Sequence, residues 1–113
     1  MKNQIQLLVL MAFVATGCIT LENNAFKVVG TTAHVVDAAM NGWGDYVRAG
    51  KATPADQATV KAAYEKYQQA MKTTHVAISA YQVSKDKTAL NAALDVLDAC
   101  KNDLVDLIQK RKL

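Results

Sequence analysis

The chain has 113 residues, of which 51% are hydrophobic, and its formal net charge is +3. One proline and five glycines argue against a loop-rich or disordered protein. A net charge this small is not typical of nucleic-acid-binding domains, which usually carry a strong basic stripe. The length suffices for one modest hydrophobic core, and the second half is rich in helix-forming residues.

The first 18 residues have the layout of a secretory signal. Lys2 gives a positive start, a nearly continuous apolar run follows over 5–14, and small residues at 15–17 stand directly before Cys18. The run is too short to span a bilayer, which takes about 20 apolar residues. We therefore predict that residues 1–17 form a cleaved signal peptide.

The four residues Ala15-Thr16-Gly17-Cys18 resemble the lipobox of bacterial lipoproteins, in which small residues precede an invariant cysteine. Gly17 and Cys18 match its two most restrictive positions, while Ala15 stands where Leu is commonest. The resemblance implies cleavage between Gly17 and Cys18, diacylglycerol on the Cys18 sulfur and, where the class adds it, an N-acyl chain. Two or three acyl chains give stable membrane anchoring. No cofactor besides these covalent lipids is expected.

The residue after Cys18 is Ile19, not Asp. By the sorting rule of the lipoprotein class, this implies the periplasmic face of the outer membrane if the host is Gram-negative. If Cys18 carries lipid, Cys100 has no intrachain partner. We predict Cys100 to be a small core residue, with an intermolecular disulfide as the alternative.

A helical domain is predicted over 23–113, after a short tether at 18–22. Its helices are expected over about 23–49, 54–83 and 87–111, because apolar residues recur alternately three and four positions apart, a coiled-coil-like period. The predicted stripe residues are Phe26, Val29, Ala33, Val36, Met40, Trp43 and Val47, then Val60, Tyr64, Tyr67, Met71, Thr74, Ile78 and Tyr81, then Leu90, Leu94, Leu97, Lys101 or Cys100, Leu104 and Ile108.

Local signals predict where the helices begin and end. Asn23 or Asn24 is expected to cap the first helix, and Gly50 to follow its end. Thr53 and Pro54 form the clearest helix start in the chain. Similar lengths and short connections predict an all-α fold, an antiparallel up-down-up three-helix bundle. The alternative is a long two-helix hairpin that oligomerises through its remaining apolar face.

The segment 41–46 is the most unusual stretch, because two glycines inside a helix each cost about 1 kcal/mol relative to Ala. In one interpretation, Trp43, Asp45 and Tyr46 form an interaction surface, since aromatic residues dominate binding hot spots. In the other, Trp43 fills the end of the core and the glycines relieve crowding.

The sequence offers no recognisable catalytic set. His34 and His75 fit no metal-binding spacing, and neither a nucleophile elbow nor a phosphate-binding loop is present. We therefore expect no enzyme, no metal site and no nucleic-acid partner.

The leading hypothesis is a membrane-anchored envelope lipoprotein that works as a non-enzymatic structural or protein-interaction module. Its partners would be membrane lipid and either an envelope protein or a second copy. One alternative is a small-ligand or lipid carrier with a pocket lined by Trp43, Tyr64, Tyr67 and Met71. The chain is also similar in general form to phage-encoded lipoproteins that act in lysis or superinfection exclusion.

Overall fold

The computed structural model describes the backbone of residues 14–112 and the side chains of residues 22–112. It contains three helices, α1 (Val14–Arg48), α2 (Pro54–Ser84) and α3 (Lys87–Lys112). No strand occurs within residues 14–112. The prediction of an all-helical chain with three helices is therefore confirmed.

Helix α1 begins earlier than the sequence analysis placed it. Its backbone is helical from Val14, so that 18–22 continues the helix instead of forming a separate tether. The stretch from Val14 to Asn23 has no proline and a single glycine, so nothing in it removes a backbone donor or blocks helical geometry. Asn23 and Asn24 consequently lie inside α1, and the prediction that one of them caps it is wrong.

The turn between α1 and α2 follows its sequence signals. Gly50 adopts the left-handed conformation with φ of 75°, and its N–H donates to the carbonyl oxygen of Val47 at 2.9 Å. Thr53 caps α2, because its hydroxyl oxygen accepts a 3.0 Å hydrogen bond from the backbone N–H of Asp56. Pro54 occupies the first helical position, where its missing N–H removes no helical hydrogen bond.

The turn between α2 and α3 is only two residues long. Lys85 adopts the left-handed conformation with φ of 61°, and its N–H donates to the carbonyl oxygen of Tyr81 at 2.8 Å. The Asp86 carboxylate then accepts a 3.0 Å hydrogen bond from the N–H of Thr88, which satisfies a free donor at the start of α3.

The core runs between the three helices and largely follows the predicted stripes. Its fully buried side chains include Val36, Val60, Tyr81, Leu90, Leu97 and Leu104. The prediction of Phe26 as a core residue is wrong, because Phe26 is 48% exposed whereas Ala25 is fully buried. The buried face of α1 follows Ala25, Val29, Thr32 and Val36, and a shift of one residue turns a side chain by about 100°.

Helices α2 and α3 share a buried polar contact. The Thr74 hydroxyl, fully buried, donates to the Ala70 carbonyl oxygen at 2.8 Å and also reaches that of Ala93 in α3 at 3.3 Å. Near the other ends of the two helices, the Arg111 Nε lies 3.3 Å from an Asp56 carboxylate oxygen. These contacts place the first turn of α2 beside the last turn of α3.

Helix α1 contacts its neighbours near residue 22 and again in its last turn. The Tyr46 hydroxyl donates to the Arg111 carbonyl oxygen at 2.8 Å, and the Gln82 side-chain amide donates to the Glu22 carboxylate at 2.6 Å. The last turns of α1 and α3 therefore meet, and Glu22 lies beside the end of α2.

Candidate functional site

The predicted cleavage and lipidation positions, Gly17 and Cys18, lie in the helical backbone of α1, but their side chains are outside the described residues. Cys18 stands one turn before Glu22, which is hydrogen-bonded to Gln82. At 1.5 Å per residue, four residues rise by about 6 Å. Because Gln82 is two residues from the end of α2, Cys18 lies level with the α2–α3 turn, at one end of the helical assembly.

At the opposite end lie the three residues of the predicted interaction surface. Trp43 is only 5% exposed, and its ring stacks on that of Tyr46 with centroids 5.5 Å apart. Tyr46 is half-buried, and its hydroxyl donates a hydrogen bond to the Arg111 carbonyl oxygen. Asp45 is exposed and pairs with Arg48 in the next turn. The structure stacks Trp43 on Tyr46, whereas Asp45 lies on another face of α1 and pairs with Arg48, so a partner approaching from solvent would meet Asp45 before Trp43.

The aromatic residues predicted to line a carrier pocket pack against the core. Tyr67 is 6% exposed, and its ring stacks on that of Tyr64 at a centroid distance of 6.0 Å. Met71 is half-buried against the same cluster. Trp43 and Tyr64 also border an open depression of about 330 Å³ between α1 and α2. The side chains predicted to line a carrier pocket therefore occupy most of the space that a bound ligand would need.

The histidines and one buried tyrosine are the titratable side chains to consider as metal ligands or reactive groups. His34 and His75 are both exposed, and within residues 22–112 no three His, Cys, Asp or Glu side chains are grouped so that they could hold a metal ion. Burial raises the pKa of the Tyr67 phenol, and the nearby negative charges of Asp37 and of the Tyr64 phenolate raise it further. A pKa raised by burial is what a phenol in the core is expected to show.

An apolar groove of about 980 Å³ runs along α2 and α3 on a side to which α1 contributes no lining residue. We call it the α2–α3 groove. Its lining includes Ala70, Val76 and Ala77 of α2 and Ala93, Val96 and Cys100 of α3. Val76 is 67% exposed and Val96 is 55% exposed, whereas the Cys100 thiol is free and half-buried. The groove is thus a shallow, solvent-facing apolar surface with a floor of small side chains.

The sequence analysis did not identify this groove. Its signal is a second stripe of small residues beside the large apolar stripe of each helix, for example Ala70 and Ala77 in α2 and Ala93 in α3. Small residues of this kind allow close helix packing, but the sequence alone does not say which side α1 covers.

The groove becomes polar towards the start of α2 and the end of α3. Lys66 lies on the α2 bank, and Asp103 and Asp106 lie on the α3 bank. None of these three side chains belongs to an ion pair within the part of the chain that the structure describes. Glu65 also lies on the α2 bank and Lys110 on the α3 bank, so each bank carries both signs of charge.

No helix among residues 14–112 is both long enough and apolar enough to cross a membrane. Comparison of the chain with protein-family models, with curated proteins and with solved structures gives no match.

Proposed function

We propose that this chain is the precursor of a membrane-anchored envelope lipoprotein, which acts without catalysis as a structural or protein-interaction module. The observation that carries the proposal is Ala15-Thr16-Gly17-Cys18 placed directly after the apolar run 5–14. This order supplies what lipid attachment needs: an apolar segment to enter the membrane, small residues at the cleavage point, and a thiol, which as thiolate is a strong nucleophile.

The position of Cys18 supports the proposal, because the residue lies at one end of the helical assembly, level with the α2–α3 turn. Acyl chains at one end leave the long sides of all three helices free for contacts. With two or three chains the attachment is stable, whereas one chain alone would be marginal. In a Gram-negative host, Ile19 after the acylated cysteine favours the outer membrane, with the helices on the periplasmic side.

We further propose that the three helices form an antiparallel up-down-up bundle with coiled-coil-like packing. The support comes from contacts at the helix ends, since Asp56 at the start of α2 lies beside Arg111 at the end of α3, and Glu22 lies beside Gln82. The buried leucines Leu90, Leu97 and Leu104 repeat every seven residues, which is the period of a coiled-coil seam.

The deciding experiment is the intact mass of the protein extracted from cell membranes. We expect the wild-type mass to equal residues 18–113 plus diacylglycerol, with or without an N-acyl chain, and the protein to partition with detergent. Cys18→Ala should retain residues 1–17 and carry no lipid. Cys100→Ala is the matched control, because it removes the other thiol and should leave processing unchanged.

A different result would overturn the proposal. Protein that begins at Met1, carries a free thiol at Cys18 and stays in the aqueous fraction is not a lipoprotein. Equal masses and equal partitioning for the wild type and Cys18→Ala would have the same meaning.

A further inference from the structure

We propose that the α2–α3 turn is the membrane-contact surface of the acylated protein, so that the helical assembly stands end-on with this turn among the lipid headgroups. The partner is the headgroup layer of the same leaflet that holds the acyl chains. The inference rests on the proposed function and deepens it, because it states how a chain anchored through Cys18 is oriented on the bilayer.

The connection between the anchor and the rest of the fold leaves little slack. The α1 backbone is helical from Val14 through Cys18, and the side chain of Glu22 accepts a 2.6 Å hydrogen bond from Gln82. Four residue steps of helix separate Cys18 from this contact, a rise of about 6 Å. Even fully extended, four residues would span no more than about 14 Å. The end of α2 therefore stays close to the bilayer surface.

The same spacing gives the heights of exposed side chains above Cys18. Because Gln82 lies level with Glu22, Val83 is about 4–5 Å above the level of Cys18 when antiparallel helices stand upright. Val76, further from the turn, is about 15 Å above it. The headgroup region of one leaflet is about 5–8 Å thick. Val83 therefore lies within the headgroup region, and Val76 lies in the aqueous phase.

The side chains at this end suit a boundary between lipid and water. Val83 is 87% exposed, the largest exposed fraction among the large hydrophobic residues that the structure describes. Lys85 and Lys87 flank Asp86, are exposed, and form no ion pair within residues 22–112. Lysine can keep its aliphatic stem against an apolar layer while its ammonium group pairs with lipid phosphate.

Two carboxylates lie at the same end and balance the charge of the two lysines. The Asp86 carboxylate accepts a hydrogen bond from the N–H of Thr88, and the Glu22 carboxylate accepts one from Gln82. Both carboxylates are thus engaged inside the chain, so the lysines are the charged groups available to lipid. A surface without net charge is not repelled by anionic lipid, and the acyl chains supply the free energy of binding.

The other orientations fit the anchor less well. The α2–α3 groove lies on a side to which α1 contributes no lining residue, so an assembly resting on the groove would hold α1 roughly one helix diameter, about 10 Å, above the surface. An assembly resting on the outer side of α1 would bring Lys27, His34 and Asp37, which are all exposed, against lipid. End-on contact requires neither.

Site-directed spin labelling of the acylated mature protein in vesicles of phosphatidylethanolamine and phosphatidylglycerol tests the orientation. Cys100→Ala leaves no thiol besides the acylated Cys18, and Val83→Cys or Val76→Cys then takes the label. The two positions are a matched pair, because both are mostly exposed and lie seven residues apart on one side of α2. We expect the label at position 83 to lose most of its accessibility to an aqueous nickel complex, whereas the label at position 76 keeps it.

A flexible Gly-Ser segment inserted between residues 21 and 22 tests the cause. It should restore access at position 83 without changing the acylation of Cys18, because the helix no longer holds the turn at the surface. Full access at both positions in the protein without the insertion would overturn the end-on contact. Protection at both positions would overturn it as well, since the assembly would then lie on its side.

The intact mass of the same samples separates this inference from the proposed function. An acylated Cys18 together with full access at position 83 overturns the orientation and leaves the lipoprotein standing. An unmodified Cys18 overturns both.

Discussion

The Tyr46 hydroxyl donates a 2.8 Å hydrogen bond to the backbone carbonyl oxygen of Arg111 and thereby joins the last turns of α1 and α3. The side chain of the same Arg111 lies 3.3 Å from Asp56 in the first turn of α2. Arg111 therefore contacts both other helices, one through its backbone and the other through its guanidinium group. Trp43 stacks on the Tyr46 ring and completes this end of the core.

The first prediction follows from that hydrogen bond. Tyr46→Phe keeps the ring and its stacking but removes the donor, and the Arg111 carbonyl has no residue one turn further on within α3 to replace it. We expect the free energy of unfolding to fall by about 1 kcal/mol, as for a typical intramolecular hydrogen bond. Urea titration followed by circular dichroism measures the change. Tyr64→Phe is the control and should have almost no effect, and equal losses for both variants would contradict the prediction.

The second prediction separates core from surface in the segment 41–46. Trp43→Ala should destabilise the fold by about 3–5 kcal/mol, because a large buried ring is removed. Asp45→Ala should change stability by less than about 1 kcal/mol, since its ion pair with Arg48 is solvent-exposed. Thermal unfolding of both variants decides the matter. If Trp43→Ala kept the wild-type midpoint, the ring would not be a core residue.

The burial of Trp43 also determines how its predicted role in binding is to be tested. Loss of a partner in Trp43→Ala would mix binding with unfolding. Asp45→Lys reverses an exposed charge in the same segment and leaves the core intact. It is therefore the variant in which a loss of binding reports on the surface itself.

The third prediction concerns two glycines in different backbone conformations. A Cβ atom at Gly30 would meet nothing within 4 Å, so Gly30→Ala should raise the free energy of unfolding by roughly 0.5–1 kcal/mol in the interior of α1. Gly50 has a φ of 75°, so Gly50→Ala should lower it by about 1 kcal/mol. Chemical denaturation of both variants tests the difference in sign. Two changes of the same sign would be inconsistent with the helix and turn conformations described here.

Local signals were sufficient to predict the ends of most helices. Gly50 and Thr53 each act on backbone groups within a few residues, so their effect can be read without knowing the tertiary structure. The start of α1 was missed because Asn23 was given a capping role that it does not have. No residue before Asn23 interrupts the helix, so α1 extends back to Val14. Phe26 shows the limit of pattern reasoning, because only the position of the other helices decides that Ala25 faces the core.

The candidate sites also differ in whether a linear pattern or the tertiary structure defines them. Cys18 was proposed as the lipidation site because the resemblance to a lipobox is a linear pattern that can be read without the fold. The α2–α3 groove was missed because it depends on which side of the α2–α3 pair α1 covers. For Trp43 the residue type left both a surface and a core position open, because its burial depends on Tyr46 and the last turn of α3. Sequence therefore predicts helix ends well and predicts surfaces poorly.

The last prediction is a loss of stability in alkaline solution through Tyr67. Burial raises the pKa of its phenol above the ordinary value of 10.0, with further contributions from Asp37 and Tyr64. Well below pH 10.0 the phenol is protonated in both the folded and the unfolded chain, so its contribution to stability is complete. As the pH rises further, the unfolded chain loses the proton first, and the free energy of unfolding falls until the folded pKa is passed.

Urea unfolding of the wild type and of Tyr67→Phe between about pH 8 and pH 11.5 measures this effect by proton linkage. The difference in stability between the two proteins should be constant well below pH 10.0 and should shift in favour of Tyr67→Phe as the pH approaches and passes that value. Contributions from groups that do not interact with Tyr67 are the same in both proteins and cancel in the difference. Curves that stay parallel across the whole range would mean that the Tyr67 phenol ionises as easily in the folded chain as in the unfolded one. Its ring would then have to lie in contact with water, contrary to the 6% exposure found for it in the core.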